Sequence, residues 1–160
     1  METIKIKIIM ENSKEMEAEL YPEIAPITVE NFVKLIKEKF FDGIIFHRVI
    51  PGFMIQGGDP TGTGMGGSKD TIKGEFLANG VVNNLKHERG VLSMARTMDP
   101  NSASSQFFIM HETSPHLDGQ YAAFGKVTKG IEVVDEIASV KTDMMDKPLE
   151  PQTIKTIELL

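Results

Sequence analysis

The chain contains no cysteine, so disulfides, thiolate nucleophiles and cysteine-bound metals are excluded. It has no excess of positive charge. Its 17 Lys+Arg stand against 23 Asp+Glu, a net charge of −6, which argues against the basic face that nucleic acid requires. It has no long apolar run. The opening METIKIKIIM is short and interrupted by lysines, so neither a signal peptide nor a membrane span is expected, and the cytosol is the expected location. No internal repeat or low-complexity segment occurs. What is there is an ordinary soluble balance, 41% hydrophobic and 25% charged, in 160 residues. That is enough for one well-cored domain spanning residues 1–160 and too few for two.

Several catalytic signatures are also missing. The histidines His47, His87, His111 and His116 include no H-E-x-x-H pair; His111 and His116 share one loop with Glu112 between them. No metal site is expected. None of Ser93, Ser102, Ser104 and Ser105 lies in a G-x-S-x-G elbow. Gly62 to Gly67 matches G-x-G-x-x-G, but Pro60 precedes it and no helix follows, so it reads as a tight loop rather than a dinucleotide fingerprint.

The apolar spacing predicts mostly strands. Residues 3–10 and 15–20 alternate as a hairpin. Ile27 to Lys39 carries Val29, Phe32, Leu35, Ile36 and Phe40 at helical spacing, with Pro26 suited to the first turn and Phe41-Asp42-Gly43 as the stop. Strands follow at Val91–Ala95, Gln106–Met110 and Tyr121–Val127. A second helix is read over Gly130–Ser139, and a last alternating strand, Thr153–Leu159, can pair with the first. Eight or so short strands with two helices suggest a closed antiparallel barrel capped by helices. In Gln106–Met110, Phe107 and Ile109 face one way. Phe108 lies with Gln106 and Met110 on the other face, as a binding surface or a second packed layer.

The stretch Phe46–Asp59, FHRVIPGFMIQGGD, holds one cation among apolar side chains. Pro51-Gly52 makes it strand, turn, strand. Alternation puts Arg48 on the face of Phe46 and Ile50, with His47 and Val49 opposite; Met54 and Gln56 share a face after the turn. Two readings stand open. Arg48 pairs with a carboxylate or carbonyls and closes a loop, or it is a fixed donor at the rim of an apolar pocket. An arginine, amides and aromatics without nucleophile, metal or cofactor could bind an apolar group beside a carbonyl, or catalyse a conformational reaction of an amide.

FHRVIPGFMIQGGDPTGTGMGG, GVLSMAR, NSASSQFFI and LDGQYAAFGKV, in that order, resemble the cyclophilin-type peptidyl-prolyl cis-trans isomerases, over nearly the whole chain. The resemblance implies a mainly β fold, a closed eight-stranded antiparallel barrel capped by two helices. It implies a cofactor-free rotamase acting on X–Pro bonds, with proline-containing peptides and unfolded or folded protein clients as partners, as a monomer. It makes Arg48 the catalytic residue. Phe53, Met54, Phe108 and Leu117 would line the proline pocket. Gln56 and Gln106 would hold substrate carbonyls and orient the arginine. Ala95, Arg96 and Thr97 would grip the peptide through their backbone, and Gly64 would flank the groove. Three positions depart from the eukaryotic pattern: Arg96 replaces Asn, His116 replaces Trp, and Tyr121 replaces His. Loss of the Trp implies reduced cyclosporin affinity; the Tyr121 ring still walls the pocket.

Overall fold

The structure, a computed structural model, describes residues 2–160. Its strands are β1 (Ile4–Met10), β2 (Glu15–Leu20), β3 (Phe46–Ile50), β4 (Met54–Gly57), β5 (Val91–Met94), β6 (Phe107–Met110), β7 (Ala123–Lys129) and β8 (Ile154–Leu159); its helices are α1 (Pro26–Lys37) and α2 (Ile131–Ala138). All eight strands join one sheet in the order β3-β4-β6-β5-β7-β2-β1-β8, every pairing antiparallel. The last strand does pair with the first, with Ile8 opposite Ile157.

The sheet curls strongly but does not close through a ladder, as the barrel expectation required. Its edge strands β3 and β8 come together only at their first residues, around the Ile45–Thr153 bridge, where Phe46 N–H donates to Gln152 O and Ile154 N–H to Ile44 O, and among the described residues they form no ladder beyond it. The physical reason lies in the edge of β3: the Val49 N–H donates to Asp146 O (2.8 Å), so the 143–147 turn takes a place that a partner strand would need.

Two apolar layers result from the alternation. On the concave side, Ile6, Ile8, Phe46, Ile55, Phe107, Ile109 and Phe124 form a core with both helices, through Val29 and Phe32 of α1 and Val134 and Ile137 of α2. Phe32 is its hub. Its ring lies 4.9 Å from Phe41, 5.2 Å edge-on from Phe107 and 5.0 Å from Phe124. On the convex side, Met54, Val91, Phe108, Met110, Leu117 and Ala123 form a smaller cluster. Among the described residues, no helix is long and apolar enough to cross a membrane.

Helix α1 starts at Pro26, as its fixed φ favours, and its open N–H groups are capped from a distance. The buried Glu75 carboxylate accepts from Thr28 N–H and Thr28 Oγ1, both at 2.7 Å. The helix stops two residues earlier than predicted. Lys39 takes a left-handed φ of 61°, Phe40 N–H donates to Leu35 O, and Lys39 N–H donates to Ile36 O. That is a Schellman cap with lysine where glycine is usual, so the glycine signal at Gly43 misled. Tyr121, predicted to open a strand, lies just outside β7.

Phe32→Ala should cost about 3–5 kcal/mol, since it opens a cavity between three other rings. Urea denaturation of the variant should show a lower midpoint; an unchanged midpoint would mean that the aromatic hub contributes nothing.

Candidate active site

Strict alternation would put Arg48 on the same face as Phe46. The structure does not. The β3–β4 register shifts between them: Phe46 opposes Gly57, while Arg48 opposes Gln56. His47 is the extra residue of a β-bulge. Phe46 and Val49 therefore both point into the core, and Arg48 and Ile50 both point out. The His47 ring is buried, and burial lowers its pKa.

Arg48 opens onto a hollow of about 170 Å³ on the convex face, lined also by Phe53, Met54, Gln56, Ala95, Arg96, Phe108, Leu117 and Tyr121. Phe108 and Tyr121 meet edge-on at 5.8 Å. The hollow is of a size for one small apolar ring beside one cation. A larger concavity of about 570 Å³ lies along α1, between Ile4, Val29, Val33 and Lys37. Its polar lining is Glu30, Lys34, Lys37 and Glu38, all from α1 and its C-terminal cap, whereas the smaller hollow brings an arginine, an amide and aromatic rings together from several elements.

Among the described residues, Arg48 pairs with no carboxylate; its one hydrogen-bond partner is Gln56 Oε1, at 3.5 Å. Gln56 Nε2 donates to Gln106 Oε1 (2.9 Å), and Gln106 Nε2 donates to Gly64 O (3.0 Å) and Gly66 O (2.7 Å). The two amides thus run from the guanidinium to the glycine loop. Beside them lies a second hollow of about 270 Å³, bordered by Gly64, Ala95, Arg96, Thr97 and Gln106. Arg96 is no free charge at its edge. Its guanidinium carbon lies 4.7 Å from the ring centres of both Phe76 and Tyr121, and its nitrogens donate to Thr97 O and Gln120 O.

Sequence reasoning overlooked Asp59. Its carboxylate accepts from the backbone N–H groups of Thr61, Thr63, Gly64 and Gly66 and from the Thr61 hydroxyl, and so sets the glycine loop. Gly66 leaves just enough room: a Cβ there would stand 2.3 Å from Asp59 Oδ1. Burial alone would raise this carboxyl, but the hydrogen bonds outweigh it and pull its pKa down to about 2. A signal was present, since Asp59-Pro60-Thr61-Gly62-Thr63 has the side-chain-to-backbone bonding pattern of an Asx turn.

Nothing in the sequence announced the group beneath Phe108. Asp118 Oδ1 lies 3.0 Å from His87 Nδ1, and His87 Nε2 lies 2.8 Å from Ser93 Oγ. The order is that of a nucleophilic triad, but Ser93 is 0% and His87 1% exposed, so no substrate reaches them. The His87 ring stacks instead on Phe108, 6.0 Å away and 21° from parallel, and supports the hollow's floor. Burial lowers the His87 pKa, against the pull of Asp118. The His116 ring lies 5.9 Å from Phe53, tilted by 30°, outside the hollow's lining. No cluster that could hold a metal occurs among the described residues.

The model of the family "Cyclophilin type peptidyl-prolyl cis-trans isomerase/CLD" matches residues 5–159. The chain belongs to the cyclophilin family. It is 50% identical over 131 residues to peptidyl-prolyl cis-trans isomerase B of Bacillus subtilis, covering 82% of this chain and 88% of that one. It is 48% identical over 143 residues to peptidyl-prolyl cis-trans isomerase ppi1 of Schizosaccharomyces pombe, covering 88% and 90%. The crystal structure of a Cryptosporidium parvum cyclophilin type peptidyl-prolyl cis-trans isomerase superposes with a TM-score of 0.91 at 34% identity, over 99% of this chain and 98% of that one. This cyclophilin is accordingly a peptidyl-prolyl cis-trans isomerase.

Its Asp59 makes acid a probe of the glycine loop. The folded carboxyl sits near 2 and the unfolded one near ~3.9, so the unfolded chain takes the proton first as pH falls. The contribution, about 2 kcal/mol, is complete above the unfolded value and is lost as pH drops through the folded one. Asp59→Asn should lower stability by that order at neutral pH and flatten its dependence between about pH 4 and 2. Urea titrations at several pH values check this; a variant that keeps the wild-type acid slope would assign the slope elsewhere.

Proposed function

We propose that this cyclophilin turns X–Pro bonds of extended peptides and protein clients, as a single cofactor-free domain spanning residues 1–160, with Arg48 as the catalytic residue. One observation carries the reading. Among the described residues Arg48 is a cation without a carboxylate partner, held at a hollow of a size for a proline ring and walled by Phe53, Met54, Phe108 and Leu117. The crystal structure of the Cryptosporidium parvum relative obtained in the presence of the dipeptide Ala-Pro, with a TM-score of 0.89 and 35% identity over 98% of each chain, supports a prolyl ligand.

The barrier to X–Pro rotation, roughly ~20 kcal/mol, is lost amide resonance. In the planar amide the nitrogen lone pair is delocalised into the carbonyl. At the twisted transition state it is localised and basic. A donor aimed at that nitrogen stabilises the twisted state more than either planar one, which is the differential binding that catalysis requires. Arg48 supplies a permanent charge on a rigid fork. Phe53, Met54, Phe108, Leu117 and the Tyr121 ring hold the proline, and their low polarity strengthens the interaction. Gln56 orients the guanidinium and, with Gln106, holds the carbonyl side. The peptide N-terminal to proline runs along Ala95, Arg96 and Thr97, past Gly64. The pinned Arg96 supports backbone recognition there rather than charge recognition. His116 on Phe53, in place of the tryptophan expected of animal members, supports reduced cyclosporin affinity.

Arg48→Ala should lower the catalysed cis-to-trans rate of a short X–Pro peptide by about 10²–10³-fold, as loss of a transition-state donor does, while peptide affinity changes much less. Wild type that binds the peptide without acceleration would make this a proline-recognition module instead. Equal acceleration by both proteins would make Arg48 structural.

No acid or base takes part in this mechanism. The wild-type kcat should therefore vary less than about twofold across roughly pH 6–8.5, measured with saturating peptide. A bell-shaped kcat profile would exclude the mechanism.

A further inference from the structure

Phe53 is a half-buried aromatic wall of the hollow, and it follows directly on the Pro51-Gly52 turn, where a wall has little of its own to hold it. His111 supplies the hold. Its backbone N–H donates to Phe53 O at 2.9 Å, and its ring Nδ1 accepts from Gly52 N–H at 2.8 Å. Because Gly52 N–H is a donor, Nδ1 must carry the lone pair, and the proton sits on Nε2. Nε2 lies 3.0 Å from Asp135 Oδ1 on α2, so it donates there.

Asp135 is fixed in its turn. Arg89 grips both its oxygens, at 2.7 and 2.8 Å, and also donates to His111 O at 3.0 Å and to Glu112 Oε1 at 3.4 Å. A chain of hydrogen bonds therefore joins α2 to the pocket wall through one imidazole. Nothing in this role needs a histidine for the fold alone. The ladder bond to Phe53 is made by backbone, and any residue at position 111 keeps it.

We propose that His111 is a positioning residue of the proline pocket: its imidazole ties the Pro51-Gly52 turn, and with it the Phe53 wall, to helix α2. This rests on the isomerase reading above. The tie depends on the Nδ1 lone pair, which accepts from Gly52 N–H. The charged groups facing the ring are Asp135 from α2 and Arg89 from the segment before β5, with Glu112 behind Arg89; these pair with one another and with Nε2 rather than with Gly52 N–H. Without the Nδ1 acceptor the wall is looser, and proline is held less tightly in substrate and transition state alike, so the loss falls on KM.

The test compares KM and kcat for an X–Pro peptide in wild type, His111→Ala and His111→Asn at about pH 7.5. Asparagine keeps an acceptor oxygen near the Nδ1 position. His111→Ala should raise KM about three- to tenfold with kcat constant, and His111→Asn should restore a low KM. A His111→Ala KM equal to wild type overturns the tie, and so does a His111→Asn KM as high as that of His111→Ala. So does a fall in kcat that tracks loss of folded protein, which would make His111 merely structural. If His111→Ala fails to fold, His111→Leu, which fills the space without an acceptor, takes its place. Failure of the isomerase reading is seen separately, as a wild type without acceleration.

Discussion

One extra residue in one strand decides which way Arg48 faces. Were β3 regular, Phe46 and Arg48 would share a face, and either the core would lose a phenylalanine or it would receive a guanidinium that cannot shed its charge. The shift at His47 removes the conflict. Phe46 and Val49 complete the inner core, while Arg48 and Ile50 reach the convex layer. His47 itself carries the cost. Its Nδ1 is buried without a partner among the described residues, which costs about 1–3 kcal/mol of lost solvation. Its ring is kept because it packs beside the glycine loop, with Nε2 3.4 Å from where a Cβ of Gly64 would stand.

Charge is then kept apart from charge. A carboxylate against Arg48 would fix it in place but would also spend its field. The molecule orients the guanidinium with neutral amides instead, Gln56 and behind it Gln106. The nearby acid, Asp59, turns its oxygens to the backbone N–H groups of the glycine loop. That loop in turn offers its carbonyls to Gln106. The anion and the cation are linked, but only through two amide dipoles. The arginine is ordered without being neutralised.

The sequence made some of this legible and hid the rest, for reasons that differ by residue. Strands with one dry face, such as Ile4–Met10 and Phe107–Met110, follow the alternation they display, and the first and last strands pair as that pattern suggested. Of the two readings of Phe108, the structure shows the packed layer, and the same side chain also lines the hollow. The motif blocks marked Arg48, Phe53, Met54, Gln56, Phe108, Leu117 and Tyr121, and the fold brings these together around one space. His116 stands outside that lining, on Phe53. A bulge carries no composition of its own, so the parity of Arg48 was misread. A lysine can take a left-handed cap if packing demands it, so the end of α1 was misplaced. Closure failed on a contact between Val49 and Asp146, 97 residues apart, which no local pattern encodes. The same holds for Ser93, His87 and Asp118, which meet only because the chain returns beneath Phe108.

The pocket's supports explain how so small a hollow can serve a reaction that breaks no bond. Substrate and transition state differ by rotation about one bond, with a lone pair appearing on one nitrogen, so little structural rearrangement separates them. Selectivity for the twisted state must come from a donor that does not follow the substrate back to planarity. A wall that yields would hold the ring less firmly in substrate and transition state alike, a loss of uniform binding that falls on KM. The floor is therefore backed by His87, the Phe53 side by His116 and the 111–135 linkage, and the Tyr121 side by the stacked Arg96. None of these groups touches the hollow's chemistry except through the rings and backbone they hold. Rigidity built from a second layer of polar side chains is what keeps the rings around Arg48 in place.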